Sequence, residues 1–129
     1  MASYETEEIE RLIDGKLPWS RVQEIMREAK DPDRFDKWIA VLQSRVPWSE
    51  RILLPLTPCL SIVQKQAERV VKCRCGHEFG DYRVNWKLAA LIHVRETREQ
   101  LREVYRGREQ PDPAWVQIRE YTCPGCGSQ

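Results

Sequence analysis

Two short cysteine motifs determine the fold that this sequence predicts: Cys73-Arg74-Cys75-Gly76 in the middle of the chain and Cys123-Pro124-Gly125-Cys126-Gly127 near its end. In the second motif, the proline fixes φ after the first cysteine and the last glycine permits a positive φ after the second. Such a turn brings two sulfurs to one metal ion while backbone N–H groups point at them. The first motif, C-x-C-G, is less common, but its spacing also allows both sulfurs to reach one metal ion.

Together the two motifs supply four thiolates, the number that a tetrahedral Zn²⁺ site takes, with Zn–S distances near ~2.3 Å. The candidate ligands are Cys73, Cys75, Cys123 and Cys126. Four protein ligands leave no open coordination position, so we expect a structural zinc. A rubredoxin-type iron site would use the same four sulfurs, but both of its pairs are usually spaced C-x-x-C. Zinc is therefore favoured over iron.

Two other residues compete for a place in the ligand set. His77 follows the first motif and could replace one thiolate, and Cys59 lies in a region that could fold nearby. We expect His77 to donate a hydrogen bond beside the site and Cys59 to be a small buried residue. Five cysteines are an odd number, and four of them form close pairs. Metal binding in a reducing compartment therefore explains them better than disulfides do.

The composition restricts the possible partners. The chain has 129 residues, enough for one folding unit, and carries 21 Lys and Arg against 20 Asp and Glu. A net charge of +1 gives no long-range field to gather nucleic acid or anionic lipid. No segment approaches the roughly 20 apolar residues of a membrane span, and the N-terminus is acidic. We expect a cytoplasmic protein with neither a nucleic-acid nor a membrane partner.

The N-terminal region, residues 1–50, has the apolar spacing of helices. The first helix contains Ile9 to Ile13 and ends before Gly15, which suits a left-handed C-terminal residue. A second is expected over about 20–30, where Ser20 and Gln23 form a capping-box pattern. Asp31-Pro32 predicts the start of a third helix, which ends near Arg45.

The second region, residues 51–129, has the short alternating segments of strands. Strands are predicted at 52–54, 60–63 and 70–71, over the ambiguous segment 86–94, and at 115–121, leading into the last cysteine pair. Thr97 and Gln100 form a capping box for an inserted helix over about 97–107. The fold class is therefore α+β: N-terminal helices followed by a small zinc-ribbon-like antiparallel β region with an inserted helix.

Five tryptophans are many for this length, and tryptophan is favoured both in cores and in interfaces. Trp38 and Trp86 have the spacing of core residues. Trp19 and Trp48 each follow a proline in the repeated patterns Leu17-Pro-Trp-Ser and Val46-Pro-Trp-Ser. These two are the candidates for contact with a partner.

No catalytic constellation is present in the sequence. A Gly-rich phosphate loop, a G-x-S-x-G and an H-E-x-x-H motif are all absent. The two histidines, His77 and His93, have no evident nucleophile to serve. We therefore expect no catalytic residue in this chain.

Six segments in order resemble the small subunit of ATP-dependent ketone carboxylases, a family that includes acetone carboxylase and acetophenone carboxylase. The segments are DPDRF (31–35), RILLPL (51–56), IVQK (62–65), CRCGHEF (73–79), NWKLAALIHVR (85–95) and CPGCG (123–127). The combination of C-x-C-G-H-E-F, N-W-K-L and C-P-x-C-G is specific, although each part alone is not. The resemblance covers nearly the whole chain.

The resemblance implies a subunit of a large cytoplasmic hetero-oligomer that converts a ketone, bicarbonate and ATP into a β-keto acid. The large subunits resemble hydantoinase-type enzymes and are expected to hold the ATP with Mg²⁺ or Mn²⁺. The family's zinc-binding cysteines correspond to Cys73, Cys75, Cys123 and Cys126. This chain stops three residues after Cys126, where acetone carboxylase small subunits continue. Its length therefore favours acetophenone, converted to benzoylacetate, with acetone to acetoacetate second.

Two other classes of protein compete with this interpretation. A free-standing zinc-ribbon adaptor would bind protein or nucleic acid, but the interleaved acidic and basic residues give no basic face for the latter. A small redox protein with bound iron would be recognised by reversible absorption of visible light.

Overall fold

The computed structural model describes residues 3–129, which form N-terminal helices followed by two antiparallel sheets. The helices are α1 (Thr6–Ile13), α2 (Trp19–Arg27), α3 (Arg34–Ser44) and α4 (Arg98–Arg102), with a 3₁₀ helix at Trp86–Ala89. The strands are β1 (Arg51–Pro55), β2 (Leu60–Lys65), β3 (Glu68–Cys73), β4 (Glu78–Asp81), β5 (Leu91–Arg95) and β6 (Ile118–Thr122). The predicted α+β class is confirmed.

The first sheet is a meander in the order β1-β2-β3-β4. Its two central strands pair in continuous register from Leu60↔Cys73 to Lys65↔Glu68. The turn between them contains Gln66 with φ +53°, the one non-glycine residue with positive φ in the described chain. This register places Cys73 at the end of β3, directly before the first cysteine turn.

Each face of this sheet packs against a different part of the chain, as the alternation of side chains along a strand requires. On one face, Ile52, Val63 and Val70 are buried against Ile39 and Leu42 of α3. The opposite face buries another cluster, made of Leu60, Val71, Cys73, Phe79 and Cys123. The sheet therefore separates the helices from the cysteine motifs.

The three N-terminal helices share their own apolar cluster, in which Tyr4, Ile9 and Ile25 are buried. Gly15 follows α1 with φ +67°, as predicted. Helix α2 is confirmed, but it ends at Arg27, and Pro18 rather than Ser20 is its N-cap residue. The side chain of Pro18 has no hydrogen-bond acceptor, so no side chain caps the N-terminus of this helix.

Asp31 is not the N-cap residue of α3; its side chain instead ties the segment before α1 to the start of α3. Its carboxylate accepts hydrogen bonds from the backbone N–H groups of Tyr4 (2.9 Å) and Asp33 (3.0 Å) and from Lys37 Nζ (2.7 Å). These donors, led by Lys37, lower the pKa of Asp31 to about 2. Helix α3 begins later than predicted, at Arg34, with Asp33 at the N-cap position.

The second sheet pairs β5 with β6 from Leu91↔Thr122 to Arg95↔Ile118, so a strand does lead into the last cysteine pair. It starts at Ile118 and not at Trp115, because Asp112 O accepts hydrogen bonds from Trp115 N and Val116 N in a turn. The predicted strand over 86–94 divides into the 3₁₀ helix and β5.

The inserted helix α4 is five residues long, shorter than the predicted 97–107. Its capping box forms as expected between Thr97 and Gln100. Leu101 is its single buried residue, whereas Val104 is 48% exposed, so no apolar contact extends the helix towards Gly107. None of the helices within residues 3–129 is long and apolar enough to cross a bilayer.

Candidate metal centre

The four predicted cysteines meet in one cluster. Their sulfur atoms all lie within 4.8 Å of one another, with Cys73 Sγ 3.7 Å from Cys126 Sγ and Cys75 Sγ 3.7 Å from Cys123 Sγ. A tetrahedral ion with Zn–S bonds of ~2.3 Å separates its sulfurs by about 3.8 Å. Each short distance joins one cysteine of the first motif to one of the second. The cluster therefore has the geometry of a four-thiolate metal site, of the kind typical of a zinc ribbon.

Two backbone turns hold these sulfurs in place. In the first, Cys73 N donates to His77 O (2.8 Å), Gly76 N donates to Cys73 O (2.8 Å), and Gly76 has φ +104°. In the second, Gly127 N donates to Cys123 O (2.9 Å), and Gly127 has φ +78°. The positive φ predicted after the second cysteine of the C-terminal motif is therefore present, and the first motif has one at the same place.

Backbone N–H groups also point at the sulfurs. His77 N lies 3.4 Å from Cys75 Sγ, and Gly125 N lies 3.3 Å from Cys123 Sγ. Such donors stabilise thiolates and orient them towards a cation. His77 reaches the cluster through its backbone, and its ring instead packs edge-on against Phe79, with the centroids 4.9 Å apart.

The two turns touch each other at Gly125, a contact that the sequence did not reveal. A Cβ atom at this position would lie 2.9 Å from His77 Cβ and 3.1 Å from Cys75 Sγ. Real Cβ atoms essentially never come within 3.0 Å of such an atom. Only glycine therefore lets the second motif approach the first closely enough for the four sulfurs to converge.

The surroundings of the sulfurs differ. Cys73 and Cys123 are buried, whereas Cys75 and Cys126 lie at the surface. Desolvation of the sulfur atoms raises the pKa of the Cys73 and Cys75 thiols, and a hydrogen bond with Ser128, whose Oγ is 3.2 Å away, lowers the pKa of Cys126 to about 6. Four thiolates at this spacing require a cation between them, because like charges so close repel strongly.

Two of the basic residues near the motifs do not neutralise the cluster. Lys72 is buried and pairs with Glu50 (3.1 Å) and Glu78 (3.6 Å) on the opposite face of the sheet. Arg83 pairs with Asp81 (3.0 Å). Their charges are therefore committed to carboxylates elsewhere.

Cys59 is separate from the cluster. It is half-buried and packs against the apolar cluster that contains Leu60 and Val71, and its carbonyl oxygen accepts a hydrogen bond from Arg74 N (2.8 Å). Cys59 was expected to be a small buried residue; it packs on the apolar cluster but is only half-buried. Within residues 3–129, no other group of three or more His, Cys, Asp and Glu side chains has metal-binding spacing.

Trp48 connects the helical region to the first cysteine turn. Its indole Nε1 donates to Cys73 O and Arg74 O, both at 3.2 Å, and Lys72 Nζ lies 5.0 Å from the centre of its ring. The sequence suggested a partner contact for Trp48 and Trp19. Trp19 is indeed 65% exposed, but Trp48 is half-buried and makes these contacts within the chain.

Known proteins resemble this chain over the same features. The family model for the acetone carboxylase gamma subunit matches residues 46–129, which include both sheets and all four clustered cysteines. The acetone carboxylase gamma subunit of Xanthobacter autotrophicus (strain ATCC BAA-1158 / Py2) is 42% identical over 128 residues. That match covers 98% of this chain and 76% of the relative, and so extends through the N-terminal helices as well.

Proposed function

This chain belongs to the acetone carboxylase gamma subunit family, and on that basis we propose that it is the non-catalytic, zinc-stabilised small subunit of an ATP-dependent ketone carboxylase. The observation that carries the proposal is the convergence of four sulfurs from two distant motifs, within a chain that matches the family over nearly its full length. The role follows from what this cluster can and cannot do chemically.

Cys73, Cys75, Cys123 and Cys126 are the proposed zinc ligands. Bound there, Zn²⁺ supplies a cross-link between the end of β3 and the end of β6. Four thiolates complete its tetrahedral shell, so the site offers no position at which a carbonyl or a water molecule could bind. The cysteines therefore act structurally: they hold the β5–β6 sheet against the first sheet.

The catalytic groups are proposed to lie in the partner subunits. Activating bicarbonate and a ketone with ATP needs a cradle for phosphoryl groups and a site that shields reactive intermediates from water. The sequence has no phosphate-binding loop. We therefore assign ATP, its Mg²⁺ or Mn²⁺ and the substrates to large hydantoinase-like subunits of a cytoplasmic hetero-oligomer.

The identity of the ketone substrate is a separate part of the proposal. The name of the Xanthobacter relative favours acetone, with acetoacetate as the product. Acetophenone stays a prediction to be tested against acetone in the same assay.

We propose that residues 1–50 and 51–129 form one folding unit and not two independent domains. In support, Ile39 and Leu42 of the helical region are packed against the buried face of the first sheet. Trp48, near the boundary, is hydrogen-bonded to the first cysteine turn.

The test is ketone-dependent ATP hydrolysis, measured with the large subunits alone, with this chain added, and with this chain alone, for acetone and acetophenone in parallel. We expect activity only when the large subunits are present, with a higher rate or a longer active lifetime once this chain is added. Turnover by this chain alone at the rate of the complex would contradict the proposal. A chain that does not bind the large subunits but shifts the gel mobility of labelled RNA or DNA in a salt-dependent way would also contradict it. That result would favour the zinc-ribbon adaptor.

A further inference from the structure

A groove separates the helical region from the edge of the first sheet. Its larger part is a cavity of about 600 Å³ between the C-terminal ends of α1 and α3 and the loop that follows β1. The walls are mainly apolar and aromatic, with Trp38, Leu42, Trp48, Pro55, Leu56 and Pro58 among them. Nothing from residues 3–129 fills this space.

The groove continues past Trp38 and Pro55 into a second depression of about 460 Å³. We call the two together the α3–β1 groove. Large apolar side chains stand exposed along it: Phe35 is 51% exposed, Leu54 is 46% exposed and Leu56 is 41% exposed. Contiguous apolar surface bordered by polar residues is the usual mark of a site that another molecule covers.

The two carboxylates that line the groove are already paired, Asp31 with Lys37 (2.7 Å) and Asp14 with Arg45, so the unpaired charges along the groove are positive. Arg45 is neutralised by Asp14, since the Nη1–Oδ1 distance is 2.7 Å. Arg74 lines one end of the groove and Arg34 the other, and no carboxylate of the described residues forms an ion pair with either. An apolar channel flanked by two unpaired guanidinium groups is complementary to an apolar segment that carries carboxylates.

We propose that the α3–β1 groove is the surface on which a large carboxylase subunit docks, through a segment whose apolar side chains fill the groove and whose acidic residues meet Arg34 and Arg74. This inference rests on the proposed function and adds the place and the chemistry of the contact. Aromatic side chains in the centre with arginines at the edge are the composition of an interface with strong binding residues.

A protein segment suits the groove better than a small substrate or product does. Both depressions are open, and they run side by side along α3 from Arg45 to Phe35, further than a ketone or a short β-keto acid extends. Trp48 forms part of the wall and donates to Cys73 O and Arg74 O. A segment seated in the groove would therefore press on the side chain that supports the first cysteine turn.

The apolar part of the proposal is tested with Phe35→Asp and Leu56→Asp in the full-length, zinc-loaded chain. Both side chains are half exposed, so the variants should keep their zinc and nearly their melting temperature. Met26→Asp is the matched control, because Met26 is 65% exposed on α2, outside the groove. We expect the groove variants to bind immobilised large subunits at least about tenfold more weakly, and the control to bind like wild type.

The charged part is tested with Arg34→Glu and Arg74→Glu, with Arg27→Glu on α2 as the control. The two groove variants should bind more weakly and with less dependence on salt, whereas the control should match wild type. A photo-crosslinker at position 56 should label a large-subunit peptide that contains both apolar and acidic residues.

The outcomes separate this inference from the proposed function. If the wild-type chain binds the large subunits and the groove variants bind equally well, the docking site is wrong and the proposed function stands. If the wild-type chain binds no large subunit, both are wrong. If acetoacetate or benzoylacetate raises the melting temperature of the wild-type chain alone but not that of Leu56→Asp, the groove is a small-molecule site and the docking proposal is overturned.

Discussion

Gly125 lies where the two cysteine motifs meet, and its importance is not visible in either motif alone. The four cysteines follow from local rules, since each pair and its glycine form one turn. The requirement for glycine at position 125 arises from a contact with His77 and Cys75, far away in the sequence. A local pattern predicts which sulfurs meet but not which neighbours must be absent for them to do so.

Replacing Gly125 with alanine should weaken zinc binding. The new methyl group would be forced against His77 Cβ and Cys75 Sγ, and overpacking of this kind typically costs about 1–3 kcal/mol. That corresponds to about a five- to 150-fold loss of zinc affinity, measured by competition with a chromogenic chelator.

The matched control for this experiment is Gly15→Ala. Gly15 has φ +67° with nothing within 4 Å of its Cβ position, so alanine there should lower the free energy of unfolding by about 1 kcal/mol and leave zinc affinity unchanged. Equal zinc affinity in wild type and Gly125→Ala would show that the turns do not touch as described.

Asp31 should make the stability of the N-terminal region depend on pH. The pKa of its carboxyl in the folded chain, about 2, is below the ordinary value of 3.8, because Lys37 and two backbone N–H groups favour the charged form. A lowered pKa stabilises the fold at pH values above 3.8, and that contribution is lost as the pH falls towards 2.

The prediction is that Asp31→Asn melts several degrees below wild type at pH 7, and that the difference narrows as the pH falls from about 4 towards 2. Loss of zinc in acid affects both proteins, so the difference between their melting temperatures isolates Asp31. A difference that stays constant over this range would contradict the assigned hydrogen bonds.

Among the secondary-structure elements, those with strong periodicity were predictable and those that depend on tertiary contacts were not. Strands β2 and β3 follow from their alternating apolar residues, and α1 from its apolar stripe and Gly15. The end of α4 was predicted too late in the chain. Val104 and Tyr105 have the spacing of a helix, but no part of the described chain covers Val104. The start of β6 was also predicted too early. Trp115, which is 86% exposed, fits the alternating pattern of that strand in the sequence, but it lies in the turn closed by Asp112 O.

The capping box of α4 should matter despite the shortness of that helix. Thr97 Oγ1 accepts from Gln100 N at 3.2 Å, and Gln100 Oε1 accepts from Thr97 N at 3.1 Å. Thr97→Ala should therefore lower the free energy of unfolding by about 1 kcal/mol and speed amide exchange at Gln100.

Thr6→Ala is the control for this variant. Thr6 is exposed at the start of α1, where no side chain forms a cap hydrogen bond, so its replacement should change stability little. If the two variants were equally stable, the capping box would contribute nothing to the fold.

For the molecule as a whole, the cysteine cluster joins parts of the chain that other contacts hold weakly. A two-stranded sheet is marginal on its own, and the packing of β5–β6 on the rest of the chain includes the edge-on contact of Tyr121 with Trp86, whose ring centres are 6.1 Å apart. A structural zinc site contributes roughly 10 kcal/mol or more, enough to offset the entropy of closing the loop between the motifs.

Removing zinc with a strong chelator should therefore loosen the β5–β6 sheet and spare the N-terminal helices. We expect far-ultraviolet helical dichroism to be largely retained, and amide protection in β5 and β6 to be lost and then restored by added Zn²⁺. If β5 and β6 kept full protection without metal, the cross-link would be dispensable.

The α3–β1 groove is the whole-molecule feature that the sequence did not reveal. The apolar side chains that line it come from α1, α3 and the loop after β1, and in each segment they have the spacing of ordinary core residues. Only the packing of these segments leaves Leu56 and Phe35 uncovered.

The measurement that tests the central claim most directly is the zinc content per chain by native mass spectrometry, for wild type, for each of Cys73→Ser, Cys75→Ser, Cys123→Ser and Cys126→Ser, and for the controls Cys59→Ser and His77→Ala. The account predicts one zinc ion in wild type and in both controls, and zinc loss or sharply weakened retention in each of the four variants. Full zinc content with unchanged thermal stability in Cys73→Ser or Cys126→Ser, or loss of the metal in His77→Ala, would contradict it.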